Sequence, residues 1–356
     1  MIAGVALSFL LASCSKDDDN TPQSGNNTNV NGGAVVSFSS NIFASVVVEV
    51  TGPGTRAPIT AFEPNAQLGV FGIPAIQGNH NSDCDLFNKK NESDFQANLF
   101  NACYTYVPGY ETLQTEKLAT FPNTSNAGLM MYGYYPYTEE AEWREVNRVA
   151  QWAIPWKLTP SDMSETKDYM FTGQTPTWYS EVGTNPIMLN FQHAFGRLDF
   201  SFYSTSKQVC DAGYRIQSVT VYCNTGESGW MALTDGTLSF SPKDLICLHS
   251  TNNAGITYNT PGESVAKFMF PPEQTLIQKI TCQVKDGGNN LREYTIYDYK
   301  YYGYDISIKK GKTTLMRINF LPKDATLSGP ANVDSWTGGN LSLIHISEPT
   351  RQAEIS

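Results

Sequence analysis

The chain has little with which to hold an anionic polymer. No extended Lys/Arg cluster occurs, and 24 basic against 34 acidic residues leave a formal net charge of −10. A phosphate backbone is gripped by clustered cations, so no nucleic-acid partner is expected. Histidine is scarce: His80, His193, His249 and His345 stand far apart. There is no H-E-x-x-H, no phosphate-cradling Gly-rich loop with its Lys, and no G-x-S-x-G, since Gly226-Glu227-Ser228-Gly229 has the wrong spacing. No His/Cys/Asp cluster has zinc spacing, and Asp17 to Asp19 lack the Gly and terminal Glu of a calcium loop. The expectation is a protein that is not an enzyme, with no catalytic residue, no metal and no cofactor. His193, between Phe191 and Phe195, reads as a hydrogen-bonded packing residue rather than a base. Long apolar runs are also missing except Ile2 to Ala12, which is too short to span a bilayer and fits the apolar stretch of a signal peptide.

What the sequence does have is tyrosine, phenylalanine, glycine, threonine and asparagine, with only 16% charged residues. That composition points to sheet, and 356 residues suffice for two ordinary domains. Short β-rich runs alternate with turn signals, the pattern of an all-β sandwich. Strands are expected in 34–38, 44–50, 67–73, 102–107, 128–135 and 187–191. A second set is expected in 198–203, 214–223, 230–240, 265–270, 276–284, 292–299 and 305–320. Asp235-Gly236 predicts a tight primed hairpin turn, and Asp286-Gly287-Gly288 a similar one. Helical signals are weak: one turn from Ser161 through Lys167, another over 94–100. The chain divides near Asn185-Pro186, giving domains over 34–188 and 189–340.

Leu11-Ala12-Ser13-Cys14 resembles the bacterial lipobox, in which the cysteine thiol receives diacylglycerol and becomes the mature N-terminus. The resemblance implies a signal peptide over 1–13, a lipidated and palmitate-bearing Cys14, and attachment to the outer membrane. Several acyl chains, at about 0.8 kcal/mol per buried CH₂, hold firmly where one does not. No Lys or Arg precedes the apolar run, which fits a start upstream of Met1. Residues 14–33 are polar, begin with Ser15-Lys16-Asp17-Asp18-Asp19, and read as a flexible tether. That acidic run resembles the signal sending Bacteroidota lipoproteins to the outer face of the outer membrane; a solvated linker charge cluster is the other reading. At the far end, Leu341 to Arg351 resembles the in-frame translation of a sequencing adapter, so 341–356 are expected to be non-native.

The mature sequence carries Thr55-Arg56-Ala57, Gly69-Val70-Phe71-Gly72 and Tyr132-Gly133-Tyr134-Tyr135-Pro136-Tyr137. It also carries Phe191-Gln192-His193-Ala194-Phe195-Gly196-Arg197-Leu198-Asp199-Phe200 and Trp336-Thr337-Gly338. Together these motifs resemble the fimbrillin family from about Ala34 to Gly339. The resemblance implies two tandem transthyretin-like β-sandwich domains in a subunit of adhesive cell-surface fimbriae, and a place on the cell surface. It implies, too, that the subunits polymerise by donor-strand exchange: an Arg-specific protease cuts after an early strand, the strand leaves, and a neighbour's strand takes its place.

The residues that would serve this are legible. Val46, Val48 and Val50 share one face of the strand to be displaced, as Val36 and Phe38 share a face of the strand before it. Each fully buried Val or Phe contributes about 1.5 to 3 kcal/mol, so an opened sandwich would seek a replacement. Gly52-Pro53-Gly54-Thr55-Arg56-Ala57 is a turn-prone loop with Arg56-Ala57 as the scissile bond; an ordinary exposed arginine after a turn is the other reading. By resemblance the donor strand lies at the C-terminus. Partners are thus other fimbrial subunits, the protease, the membrane through the lipid, and ligands on host or bacterial surfaces. The alternative function is a monomeric cell-surface glycan-binding lipoprotein, to which the tyrosine runs 132–137 and 297–304 would contribute stacking faces; packing of those rings is the other reading. Removing Cys14 from seven cysteines leaves six, for which Cys84 with Cys103 and Cys210 with Cys223 are the sequence-local pairings, and buried free thiols the alternative.

Overall fold

A computed structural model describes residues 35–42, 62–76, 86–110, 112–122, 126–182, 185–302, 306–321, 324–327, 332–335 and 342–343. The architecture is all-β, with short helical turns only. In the first sheet the strands run in the order Phe38–Ile42, Ile187–His193, Met170–Phe171, Ala127–Tyr135, Gln67–Ile76 and Ala102–Thr105, and Thr175–Trp178 adds to Ala127–Tyr135. A two-stranded ribbon, Val35–Val36 with Ala119–Thr120, belongs to the same half. Between them lies an apolar core that includes Val36, Phe38, Leu68, Tyr104, Leu129 and Leu189.

The second half is a sandwich of two sheets. One carries Thr257–Tyr258, Gly196–Ser204, Lys312–Leu321, Asn332–Ser335 and Ser342–Leu343, with Ala266–Phe270 and Asp324–Leu327 branching from it. The other runs Lys243–Gly255, Arg215–Thr225, Leu276–Lys285 and Leu291–Asp298. Strict alternation in Ala266–Phe270 sends Phe268 and Phe270 inward, where they join Leu198, Phe200, Val221 and Ile280.

A fourth sheet joins the halves: Leu238–Phe240, Ser228–Ala232, Val149–Lys157 and Glu142–Val146, in that order. Its strands come from both sides of Asn185-Pro186, and its inner residues Trp152, Ile154, Trp156 and Met231 belong to one core with Phe71, Tyr132, Phe195 and Phe200. The first sheet is therefore covered on both faces, which explains why Gln67–Ile76 and Ala127–Tyr135 are buried almost throughout. Two glycines make this possible. A Cβ on Gly69 would fall 2.0 Å from the Tyr134 ring, and one on Gly128 2.1 Å from Trp178, so only glycine lets those rings lie on the strands.

Several expectations change. The strand expected over 305–320 is Lys312–Leu321, because Gly311 turns at φ +61° just before it. The hairpin around Asp235-Gly236 forms, but only Gly236 takes positive φ, and the register Met231 opposite Leu238 leaves a wider loop than a two-residue turn. Asp162, not Ser161, caps the short helical turn Met163–Glu165, its carboxylate accepting from Ser164 N at 3.0 Å. The turn expected over 94–100 is instead Glu92–Asp94. Glu142–Val146, Val149–Lys157 and Lys243–Gly255 were not expected as strands at all. Cys210 and Cys223 are not joined; Cys103, Cys210, Cys223, Cys247 and Cys282 are free, and Cys84 lies outside the described residues.

Candidate functional site

The early strand Phe38–Ile42 occupies the end of the first sheet and is parallel to Ile187–His193, with Phe38 opposite Ile187 and Ile42 opposite Phe191. Beyond this five-residue ladder, further backbone bonds fasten the segment. The Ser37 carbonyl accepts from Ile187 N at 2.8 Å and the Phe38 carbonyl from Leu113 N at 2.7 Å. Val35 and Val36 pair with Thr120 and Ala119. What anchors the segment is packing: Val36 is 3% exposed and Phe38 0%, the latter against Tyr104, whose hydroxyl is buried without a partner among the described residues. Burial pushes the Tyr104 pKa well up. Parallel pairing is slightly weaker per residue than antiparallel pairing, so the two apolar plugs matter to how firmly this terminal strand is held.

The strand expected to be displaced, with Val46, Val48 and Val50 on one face, and the expected processing bond Arg56-Ala57 fall between Ile42 and Phe62 and lie outside the described residues. So do Cys14, the Trp336-Thr337-Gly338 motif, His80 and His345. Phe62 returns the chain to the same core, with Phe191 edge-on at 5.2 Å between ring centroids.

The Phe191-to-Phe200 motif spans the passage from the first half to the second. Phe191, Ala194, Phe195, Leu198 and Phe200 are fully buried. His193 Nδ1 lies 2.8 Å from Asp168 Oδ2, both nearly inaccessible, and Arg197 donates through Nε and Nη2 to the two carboxylate oxygens of Asp199. The buried polar residues of the motif, His193, Arg197 and Asp199, thus each have a polar partner inside the fold, as burial of charge demands. His249 accepts or donates through Nδ1 to Thr220 Oγ1 at 3.0 Å, far from this pair in sequence. Among the described residues no group of three His, Cys, Asp or Glu is placed to hold a metal ion, and no helix is long and apolar enough to cross a membrane.

Of the tyrosine runs, Tyr132, Tyr134 and Tyr297 are buried. The Tyr134 hydroxyl donates to Asn101 Oδ1 at 2.5 Å and lies 2.9 Å from the Thr138 carbonyl, tying down the turn after its strand. From the end of the first run, Pro136 and Tyr137 line a surface groove. The groove has no local signature in the sequence, since its walls combine residues of the unexpected strands Glu142–Val146 and Val149–Lys157 with residues from 227 to 243.

Comparison with known proteins follows the fold. The family described as fimbrillin-like matches residues 55–336. A fimbrial protein from Bacteroides vulgatus superposes with a TM-score of 0.54 at 12% identity, over 85% of this chain and 99% of its own. A candidate cell adhesion protein from Bacteroides ovatus gives 0.54 at 15% identity, over 86% and 99%. Another from Bacteroides uniformis gives 0.55 at 14%, over 85% and 98%. At such identities the likeness is one of fold. No curated protein matches the sequence.

Proposed function

This chain belongs to the fimbrillin-like family, and on that premise we propose that it is a structural, tip or anchor subunit of adhesive cell-surface fimbriae that assembles by protease-triggered donor-strand exchange. Membership of the family supports reading it as a surface structural protein rather than an enzyme. In our reading Cys14 carries the lipid that holds the subunit to the outer membrane. An Arg-specific protease cuts Arg56-Ala57 and frees everything before it, including Val35–Ile42 and the Val46, Val48, Val50 face. The next subunit's C-terminal strand then takes the vacated position beside Ile187–His193. An anchor subunit would remain uncut and still receive no neighbour below it.

One observation supports this most: the segment 35–42 ends the first sheet, yet plugs its core with Val36 and Phe38. Exposing those two positions would cost about 3 to 6 kcal/mol of apolar burial, enough to favour capture of a replacement strand. Parallel insertion beside Ile187–His193 would restore both the backbone ladder and the plugs. We divide the chain at 188/189, and the acceptor strand Ile187–His193 runs across that boundary.

The test is digestion of the full-length protein, carrying its authentic ends, with an Arg-specific protease, followed by electrophoresis without boiling. Cleavage at Arg56 with a ladder of multimers is expected for wild type, and its loss in Arg56→Ala. A protein that is cut at Arg56 and stays monomeric contradicts the exchange reading.

A further inference from the structure

A groove of about 930 Å³ opens where the linking sheet meets the turn after the Ala127–Tyr135 strand. It takes no part in strand exchange as described above. Arg144 lies flat over Trp230, its Cζ 3.7 Å from the ring centroid. A guanidinium stacked on an indole keeps its donors in a plane parallel to the ring, ready for acceptors that arrive from the side. One such donor, Nε of Arg144, is buried and has no hydrogen-bond partner among the described residues. Its Nη1 reaches Glu142 Oε2 only at 3.6 Å. The Arg144 side chain as a whole is 36% exposed, so an outside acceptor can reach the guanidinium edge that Glu142 holds only loosely.

The charges around the groove point the same way. Arg144, Lys157, Lys167 and Lys243 line it, against Glu140 and Glu227, and Glu227 is already paired with Lys243. In a chain whose formal charge is −10, a local excess of cations on a concave wall attracts an anion selectively. The rest of the wall includes Tyr137 and Phe240, with the hydroxyl-bearing residues Thr138, Ser228, Ser239 and Ser241. Aromatic faces beside hydroxyls and fixed cations match a pyranose chain, which offers apolar ring faces, many hydroxyls and, if acidic, a planar carboxylate for a bidentate arginine. The volume lies near the upper end of ordinary ligand sites and suits a few sugar residues.

We propose that this groove binds a carboxylated oligosaccharide, with Arg144 on the carboxylate and the aromatic wall on the sugar rings. Binding would give the surface protein an adhesive contact independent of polymerisation.

The experiment titrates the full chain with trigalacturonate, with 3′-sialyllactose, with a neutral trisaccharide (maltotriose) and with a short poly-glutamate peptide, following heat and tryptophan fluorescence. At least one of the two acidic sugars is expected to bind, weakening with salt, and to bind roughly tenfold or more tighter than maltotriose or the peptide. Arg144→Gln and Lys157→Gln should each weaken that binding by about tenfold, whereas Lys207→Gln, a change at an exposed lysine outside the groove, should not. Unaltered melting temperatures establish that the variants fold. Equal binding of maltotriose, equal or tighter binding of the peptide, indifference to Arg144→Gln, or binding of neither acidic sugar would each overturn the proposal. None of these outcomes touches strand exchange, which is read from the multimer ladder.

Discussion

Phe38 meets Tyr104 edge-on, with ring centroids 4.9 Å apart and an interplanar angle of 87°. One ring belongs to the terminal strand of the first sheet and the other to Ala102–Thr105 at the opposite end of that sheet's strand order. The pair therefore closes the core over the sheet, and Phe38 is, with Val36, one of the two buried plugs that hold the early segment. Phe38→Ala is expected to lower stability by about 3 to 5 kcal/mol, as loss of a fully buried ring does. Urea denaturation measures it. A loss below about 1 kcal/mol would mean that the segment is not an integral part of the core.

The buried His193–Asp168 contact gives a second prediction. Asp168→Ala removes the partner of a ring nitrogen that is otherwise out of reach of water, and breaking a buried polar pair of this kind costs about 3 to 5 kcal/mol. Asp168→Asn keeps an acceptor at the same place and should cost clearly less. Denaturation of the two variants side by side checks the order; equal effects would show that the volume of the side chain, not its acceptor, is what matters.

That motif shows how far the sequence could be read. Phe191, Leu198 and Phe200 alternate cleanly, so their strands are legible within a residue or two, as are Arg215–Thr225 and Leu276–Lys285. The linking sheet was hidden for physical reasons. Glu142–Val146 is an edge strand in which only Val146 is buried, and Val149–Lys157 carries Pro155, a residue that argues against strand. Lys243–Gly255 opens with three exposed residues and buries Ser250 in place of an apolar side chain. The groove is lined from both sides of Asn185-Pro186, by residues near in space and distant in sequence, and no local pattern announces that. Likewise the residues before Phe62 show from sequence alone a loop and its arginine, because those are local signals.

Lys267 gives a pH prediction. It faces Asp199 across the Gly196–Ser204 and Ala266–Phe270 pair. Burial, together with the Arg197 cation, lowers its pKa from 10.5 to about 8 against the pull of Asp199 and Glu263. Between about 8 and 10.5 the unfolded chain holds a proton that the folded protein has given up, so this group makes stability rise with pH across that window. Below the window the ammonium is charged in both states and its burial is a cost. Lys267→Met should therefore be at least as stable as wild type at pH 7, and its advantage should shrink as pH approaches 10. Buried thiols act in the opposite direction at alkaline pH in both proteins and cancel in the difference. Parallel stability curves for the two proteins would refute the assignment.

The cysteines give a fourth. Cys247 is exposed, whereas Cys223 and Cys282 are buried, and burial pushes both of those up to about 12. Cys247 pairs with Tyr222, so Cys223 next along its strand turns to the other face of the sheet. With little thiolate and no access, Cys223 and Cys282 should resist a maleimide reagent in native protein and react in denaturant, after Cys247 has been labelled. Peptide mass spectrometry reads the order. A disulfide-linked Cys210–Cys223 peptide would contradict the fold in this region.

The central claim is that the early strand can be taken out of the first sheet and its place refilled. The most direct measurement is the melting temperature of protein cut at Arg56 and freed of the released fragment, before and after addition of a synthetic peptide of residues 34–50. The account predicts a clear drop on removal and recovery with the peptide, and less recovery with a peptide carrying Phe38→Ala. An unchanged melting temperature after the fragment is gone, or a drop that the peptide does nothing to reverse, would contradict it.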